Sequence, residues 1–185
     1  GSHLEVILAG TGAADVRTNR IVIVTMILTV AVMAASMRAQ QRGDSEAPKP
    51  PTVLFMCPHG AAKSVLAFAY FERLAKERGL NVRVESAGTD PDPTVAPAVA
   101  AHLMRQGYPA PKSNPRKVTA KDFESADVVI SIGCDLSGLE EPRGKLVRWD
   151  EVPPLSEGFA RADEAIRKRV TELIDELVRI VPKEK

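Results

Sequence analysis

Residues 52–78 read TVLFMCPHGAAKSVLAFAYFERLAKER. The opening TVLFM, Thr52–Met56, is a short apolar run behind Pro50 and Pro51, the signal of a buried strand. From Ser64 to Arg78 the spacing predicts an amphipathic helix with Leu66, Ala69, Tyr70 and Leu74 on one side and Gly79 as its C-terminal cap residue. Between them lies CPHGAAKS, residues 57–64. A strand that runs through a small-residue loop into a helix is the local context of an oxyanion cradle. Gly60, Ala61 and Ala62 have little or no side chain, so backbone N–H groups can turn inward as a nest, and the helix N-terminus adds its positive end. That field favours the thiolate of Cys57, which is the nucleophilic form of cysteine. Lys63 adds a charge, and Ser64 can donate a hydrogen bond to the sulfur.

Outward from this stretch, strand and helix alternate. Val82–Ser86 reads as a second strand, Ala96–Gln106 as a helix closed by Gly107, and Asp122–Ser125 as a helical turn capped by Thr119. Asp127–Ile132 and Lys145–Trp149 are further strands. A last helix runs from Gly158 to Val181, with Phe159, Ala162, Ile166, Val170, Leu173, Ile174, Leu177 and Val181 as its apolar stripe. Such alternation predicts an α/β three-layer sandwich: a four-stranded parallel sheet with helices on both faces. Ligands of such sheets bind beyond the carboxyl ends of the strands, which directs attention to Cys57, to residues 86–89, to Cys134 and to Trp149 with Asp150.

The formal net charge of +1 and the mixing of both signs exclude a nucleic-acid-binding stripe. Two cysteines, Cys57 and Cys134, allow at most one disulfide and no zinc-ligand spacing. No metal or cofactor is called for. Gly1, Ser2 and His3 have the look of a tag scar, and residues 1–20 an N-terminal extension. Residues 21–39 begin with the uncharged run IVIVTMILTVAVMAAS, flanked by Arg17, Arg20 and Arg38, and residues 40–50 form a polar, proline-bearing linker. Basic, apolar, small and polar is the order of a secretory signal. Alternatives are a native start at Met26, or a buried element of the fold. A signal implies a periplasmic or secreted protein, with membrane contact only through residues 21–36 if they are not cleaved; otherwise the address is cytoplasmic. The domain proper is 51–185.

The spacing Cys57, five residues, basic Lys63, then Ser64 resembles the active-site loop of the low-molecular-weight protein tyrosine phosphatases and the related thioredoxin-coupled arsenate reductases. ESAGTDPDPTVAPAVAAHLMRQGY (85–108), ADVVISIGCD (126–135) and VRWDEVPPLSEGF (147–159) resemble further segments of that family in the expected order. The resemblance implies the family's flavodoxin-like fold, attack by Cys57, an oxyanion hole from the loop residues Pro58, His59, Gly60, Ala61, Ala62, Lys63 and Ser64, and help from Ser64 when the thiolate departs.

Three positions depart from the family pattern. Lys63 stands where the family has arginine, keeping the charge but losing the bidentate fork. Pro153, followed by Pro154, stands where the family has an aspartate before a proline, so Asp150 or Glu151 is left as the candidate acid. Asp135–Gly138 holds no further thiol beyond Cys134. The implied activity is hydrolysis of phosphate monoesters, phosphotyrosine among them, through a Cys57 thiol intermediate. Alternatives are arsenate reduction through Cys57 and Cys134 with a thiol reductant, and an oxyanion- or phosphoprotein-binding module with impaired catalysis. The expected partners are phosphate or another tetrahedral oxyanion, and a phosphoprotein or a thiol reductant.

Overall fold

A computed structural model describes residues 49–110 and 113–180. The signal-like run, the linker up to Pro48 and Val181 lie outside the described residues. Four strands are present: β1 (Thr52–Cys57), β2 (Arg83–Gly88), β3 (Val128–Ser131) and β4 (Lys145–Arg148). They form one parallel sheet in the order β2-β1-β3-β4. The helices are α1 (Lys63–Glu77), α2 (Pro97–Arg105), α3 (Ala120–Ser125) and α4 (Phe159–Ile180).

All six residues of β1 are buried, as expected of a central strand covered on both faces. Their side chains alternate between faces. Val53, Phe55 and Cys57 join Leu66, Tyr70 and Phe71 of α1, Val99 and Leu103 of α2, and Ile166, Val170 and Ile174 of α4. Leu54 and Met56 join a smaller cluster with Phe123 of α3, Val118, Val129 and Cys134. The two helical layers are therefore unequal. One holds three helices, while a six-residue helix and loop residues such as Leu136 and Leu139 cover the other.

Element boundaries follow the sequence signals closely, with two informative differences. On α1 the buried apolar set is Leu66, Ala67, Tyr70, Phe71 and Ala75, while Ala69 and Leu74 are only partly covered. The stripe is rotated because α2 and α4 both lean on it. Strand β2 continues beyond Ser86 to Gly88, because its parallel register with β1 pairs Cys57 with Gly88. The chain leaves β1 for β2 on one side and later reaches β3 on the other. The gap between β1 and β3 is thus the topological switch point, and Cys57 is the last residue of β1 beside it. None of the described helices is long and apolar enough to cross a membrane.

Candidate active site

Cys57 ends β1 with 2% of its surface exposed, and its Sγ lies 3.2 Å from Oγ of the fully buried Ser64, in hydrogen-bond contact. The loop between them is shaped from outside. Asp90 N–H donates to Pro58 C=O (2.9 Å), Asp92 N–H to His59 C=O (3.0 Å) and Ala96 N–H to Ala61 C=O (3.0 Å). Three loop carbonyls are therefore turned away from the centre and satisfied by the segment after β2. No described carbonyl accepts from the amides of Ala61, Ala62, Lys63 or Ser64. A peptide plane that points its oxygen out points its nitrogen in, so the outward carbonyl of Ala61 turns the Ala62 amide inward, and the amides of Ala61, Lys63 and Ser64 lie with it at the start of α1, where the helix dipole is positive.

Two glycines make this loop possible. Gly60 has φ +58, a conformation that costs an L side chain energy, and closes a turn by donating to Cys57 C=O at 3.2 Å. Gly88 lies directly beneath it: a Cβ on Gly88 would come within 2.6 Å of Gly60 N. The floor of the cradle is thus backbone against backbone. Sequence reading marked residues 86–89 as a strand end facing the site but did not single out Gly88, although its seat in the Ser-Ala-Gly-Thr segment was the available signal.

Lys63 reaches across to the end of β3. Its Nζ lies 2.9 Å from where a Cβ on Gly133 would sit, and Gly133 has φ +68. Gly133 is a residue that sequence reading missed; its signal is a glycine immediately after a strand and before Cys134. The two cysteines are both free thiols, and Cys134 is buried on the opposite face of the sheet from Cys57. Burial, with the nearby Cys57 adding to it, pushes the Cys134 thiol up to about 11 against opposing contributions from Ser131, the Ile132 amide and Lys63. The Ser131 hydroxyl beside it is fully buried and finds no partner within hydrogen-bond geometry.

The acids after β4 lie further out. Asp150 is exposed and faces Arg148 at 3.8 Å. Glu151 is paired with Arg169 of α4; that hydrogen bond holds its carboxyl below the ordinary range, against a smaller upward pull from burial. Trp149 is buried against Phe55, ring centroids 5.7 Å apart, and ties this segment to the core. His59 is exposed, with Nδ1 3.4 Å from Asp92 Oδ1. No group of three or more His, Cys, Asp and Glu side chains that could hold a metal ion occurs among the described residues.

A buried cysteine thus ends a central parallel strand, under a small-residue loop that opens a helix, with a serine hydroxyl against its sulfur. Residues 52–138 match the family described as low molecular weight phosphotyrosine protein phosphatase. A Halobacterium salinarum protein assigned as an arsenate reductase is 28% identical over 127 residues, covering 66% of this chain and 89% of that protein. A thioredoxin-dependent arsenate reductase of Corynebacterium glutamicum superposes with a TM-score of 0.62 at 27% identity, over 72% of this chain and 64% of that one, so this chain spans less than two thirds of it. An arsenate reductase from Archaeoglobus fulgidus superposes with a TM-score of 0.53 at 28% identity, over 66% of this chain and 98% of that one. Over residues 52–138 the chain is similar to the low-molecular-weight phosphatase family, and its fold is the one seen in these arsenate reductases.

Proposed function

We propose that the protein is a cysteine-dependent hydrolase of phosphate monoesters, with phosphorylated side chains of proteins among its substrates. The observation that supports this most is the Cys57 Sγ–Ser64 Oγ contact of 3.2 Å at the floor of the amide-lined loop. Sγ attacks phosphorus, the loop amides and Lys63 take the charge that grows on the equatorial oxygens, and Ser64 donates to the sulfur as it leaves. Lysine supplies a point charge rather than a fork, so turnover depends more heavily on the backbone amides.

A second reading, arsenate reduction, is favoured by the relatives named above, all assigned to that reaction. There Cys57 would bond to arsenic, Cys134 would displace arsenite to form a disulfide, and a thiol reductant would restore both thiols. The high pKa of Cys134 and its seat across the sheet speak for hydrolysis. The signal-like order of residues 17–47 supports export to the periplasm.

The readings part in one pair of assays. Hydrolysis of 4-nitrophenyl phosphate by the reduced protein is expected to vanish in Cys57→Ser and to persist in Cys134→Ser. Arsenate-dependent oxidation of a thiol reductant that is lost in Cys134→Ser, with no ester hydrolysis, would establish the reductase instead.

A further inference from the structure

We propose that His59, oriented by Asp92, is the acid that protonates the leaving-group oxygen when Cys57 attacks a phosphate monoester, an inference that rests on the hydrolytic reading above. The loop after β4 offers little for this task. Pro153 and Pro154 carry no proton, Glu151 is held as an anion by Arg169, and Asp150 faces Arg148.

His59, by contrast, stands two residues from the nucleophile within the cradle itself. Its main chain and its ring both meet one neighbour. Asp92 N–H donates to His59 C=O at 3.0 Å, and Asp92 Oδ1 lies 3.4 Å from His59 Nδ1. The backbone bond holds the two residues side by side, and the carboxylate lies within ion-pair distance of the imidazole. The segment is further pinned by Asp90 N–H on Pro58 C=O and by the flanking Pro91 and Pro93, the latter restricting Asp92 to extended backbone. A carboxylate on Nδ1 selects the ring form whose Nε2 handles the reacting proton. Both side chains are more than half exposed, at 64% and 52%, so Nε2 is open to a ligand entering from solvent.

The chemistry balances. The Sγ–P bond forms as the bond between phosphorus and the leaving oxygen breaks, and that oxygen takes the Nε2 proton with the bonding pair. The neutral imidazole then accepts a proton from the water that attacks the cysteinyl phosphate. The S–P bond breaks, and its pair returns to Sγ. An acid matters more as the leaving group becomes more basic, and this dependence is what a merely structural residue would not show.

The test compares hydrolysis of 4-nitrophenyl phosphate and of phenyl phosphate by the full, reduced chain as wild type, His59→Gln, Asp92→Ala, Asp150→Asn and Cys57→Ser. The expected loss in His59→Gln is about tenfold on the nitrophenyl ester and more than about a hundredfold on the phenyl ester. Asp92→Ala is expected to show the same widening at smaller amplitude. Equal losses on both esters, or a widening that appears in Asp150→Asn instead, would overturn the assignment of the proton to His59 and leave the hydrolase reading standing. Wild type without Cys57-dependent turnover would sink both, and this is seen before any variant of His59 is read.

Discussion

At the scale of single residues, the site is decided by where side chains are missing. Gly60 and Gly88 touch through their backbones, and Gly133 leaves room for the Lys63 ammonium. In Gly88→Ala the new methyl would meet Gly60 N at 2.6 Å, so the loop must lift from the strand. The expected result is a stability loss of about 1–3 kcal/mol by denaturant titration, as for other overpacked sites, together with a drop in phosphate affinity of at least about tenfold. A variant that binds phosphate like wild type would show that the loop is not held by this contact. Gly133→Ala acts differently. It strains a position at φ +68 and pushes Lys63 Nζ aside without touching the floor. Phosphate affinity should fall by about tenfold while the Cys57–Ser64 contact stays, and calorimetric titration with phosphate would measure it. The small residues of the loop were legible in the sequence because the loop is local. The glycine beneath it was not, because naming Gly88 as the partner of Gly60 requires the register that sets Cys57 opposite Gly88.

At the scale of elements, the short helix α3 shows how a local signal serves a distant site. Thr119 and Asp122 were readable as a cap from their three-residue spacing, and they form a capping box. The sequence did not show that Arg116 would join it. Arg116 makes a bidentate pair with Asp122 (both 2.8 Å) and a further bond to Glu85 of β2 at 2.6 Å. The same segment clasps Gly88, whose N–H donates to Arg116 C=O and whose C=O accepts from Val118 N–H, each at 2.9 Å. The cap therefore fastens the strand end on which the oxyanion loop rests. Burial alone would raise the Asp122 carboxyl, but the bonds from Arg116 and Thr119 outweigh it and hold it below the ordinary value of 3.8. A depressed carboxylate stabilises the fold above its unfolded value, and this contribution is lost as pH falls through the folded one. Asp122→Ala should therefore cost about 1–2 kcal/mol at neutral pH, measured by urea unfolding. The gap from wild type should begin to close below about pH 4, as the unfolded carboxyl protonates, and go on closing until the pH lies below the folded value as well. A gap that persists undiminished at pH 2 would count against the carboxylate as its source.

At the scale of the whole molecule, one polar cluster joins the three helices whose connections carry the site. The Tyr70 hydroxyl of α1 meets His102 Nε2 of α2 at 3.2 Å, and in α4 it meets Asp163 and, at 2.9 Å, Arg167. Arg167 also lies over the Tyr70 ring, 4.0 Å from its centroid, and pairs with Asp163 at 2.9 Å. Helix α1 begins in the oxyanion loop, α2 follows the segment that clamps the loop's carbonyls, and α4 follows the loop bearing Asp150. The apolar stripes of these helices were plain in the sequence; the cluster was not, since it unites side chains as far apart as residues 70 and 167 through tertiary packing alone. Burial first, and then the bond to Asp163, raise the Tyr70 phenol well above its ordinary value of 10. A group with a raised folded value stabilises the protein fully below its unfolded value, and that contribution is lost as pH rises above it. Between neutrality and pH 10 the cluster should contribute a constant amount. Above pH 10 the unfolded chain loses the phenolic proton while the folded chain keeps it, so unfolding free energy should fall by up to about 1.4 kcal/mol per pH unit. Tyr70→Phe should be less stable than wild type at neutral pH by about 1–3 kcal/mol, because Asp163 and His102 lose a buried partner. The same variant should show a shallower decline between pH 10 and 11.5. Guanidinium unfolding of both proteins across pH 7–11.5 measures the two slopes, and parallel curves would remove Tyr70 as the source of the alkaline loss.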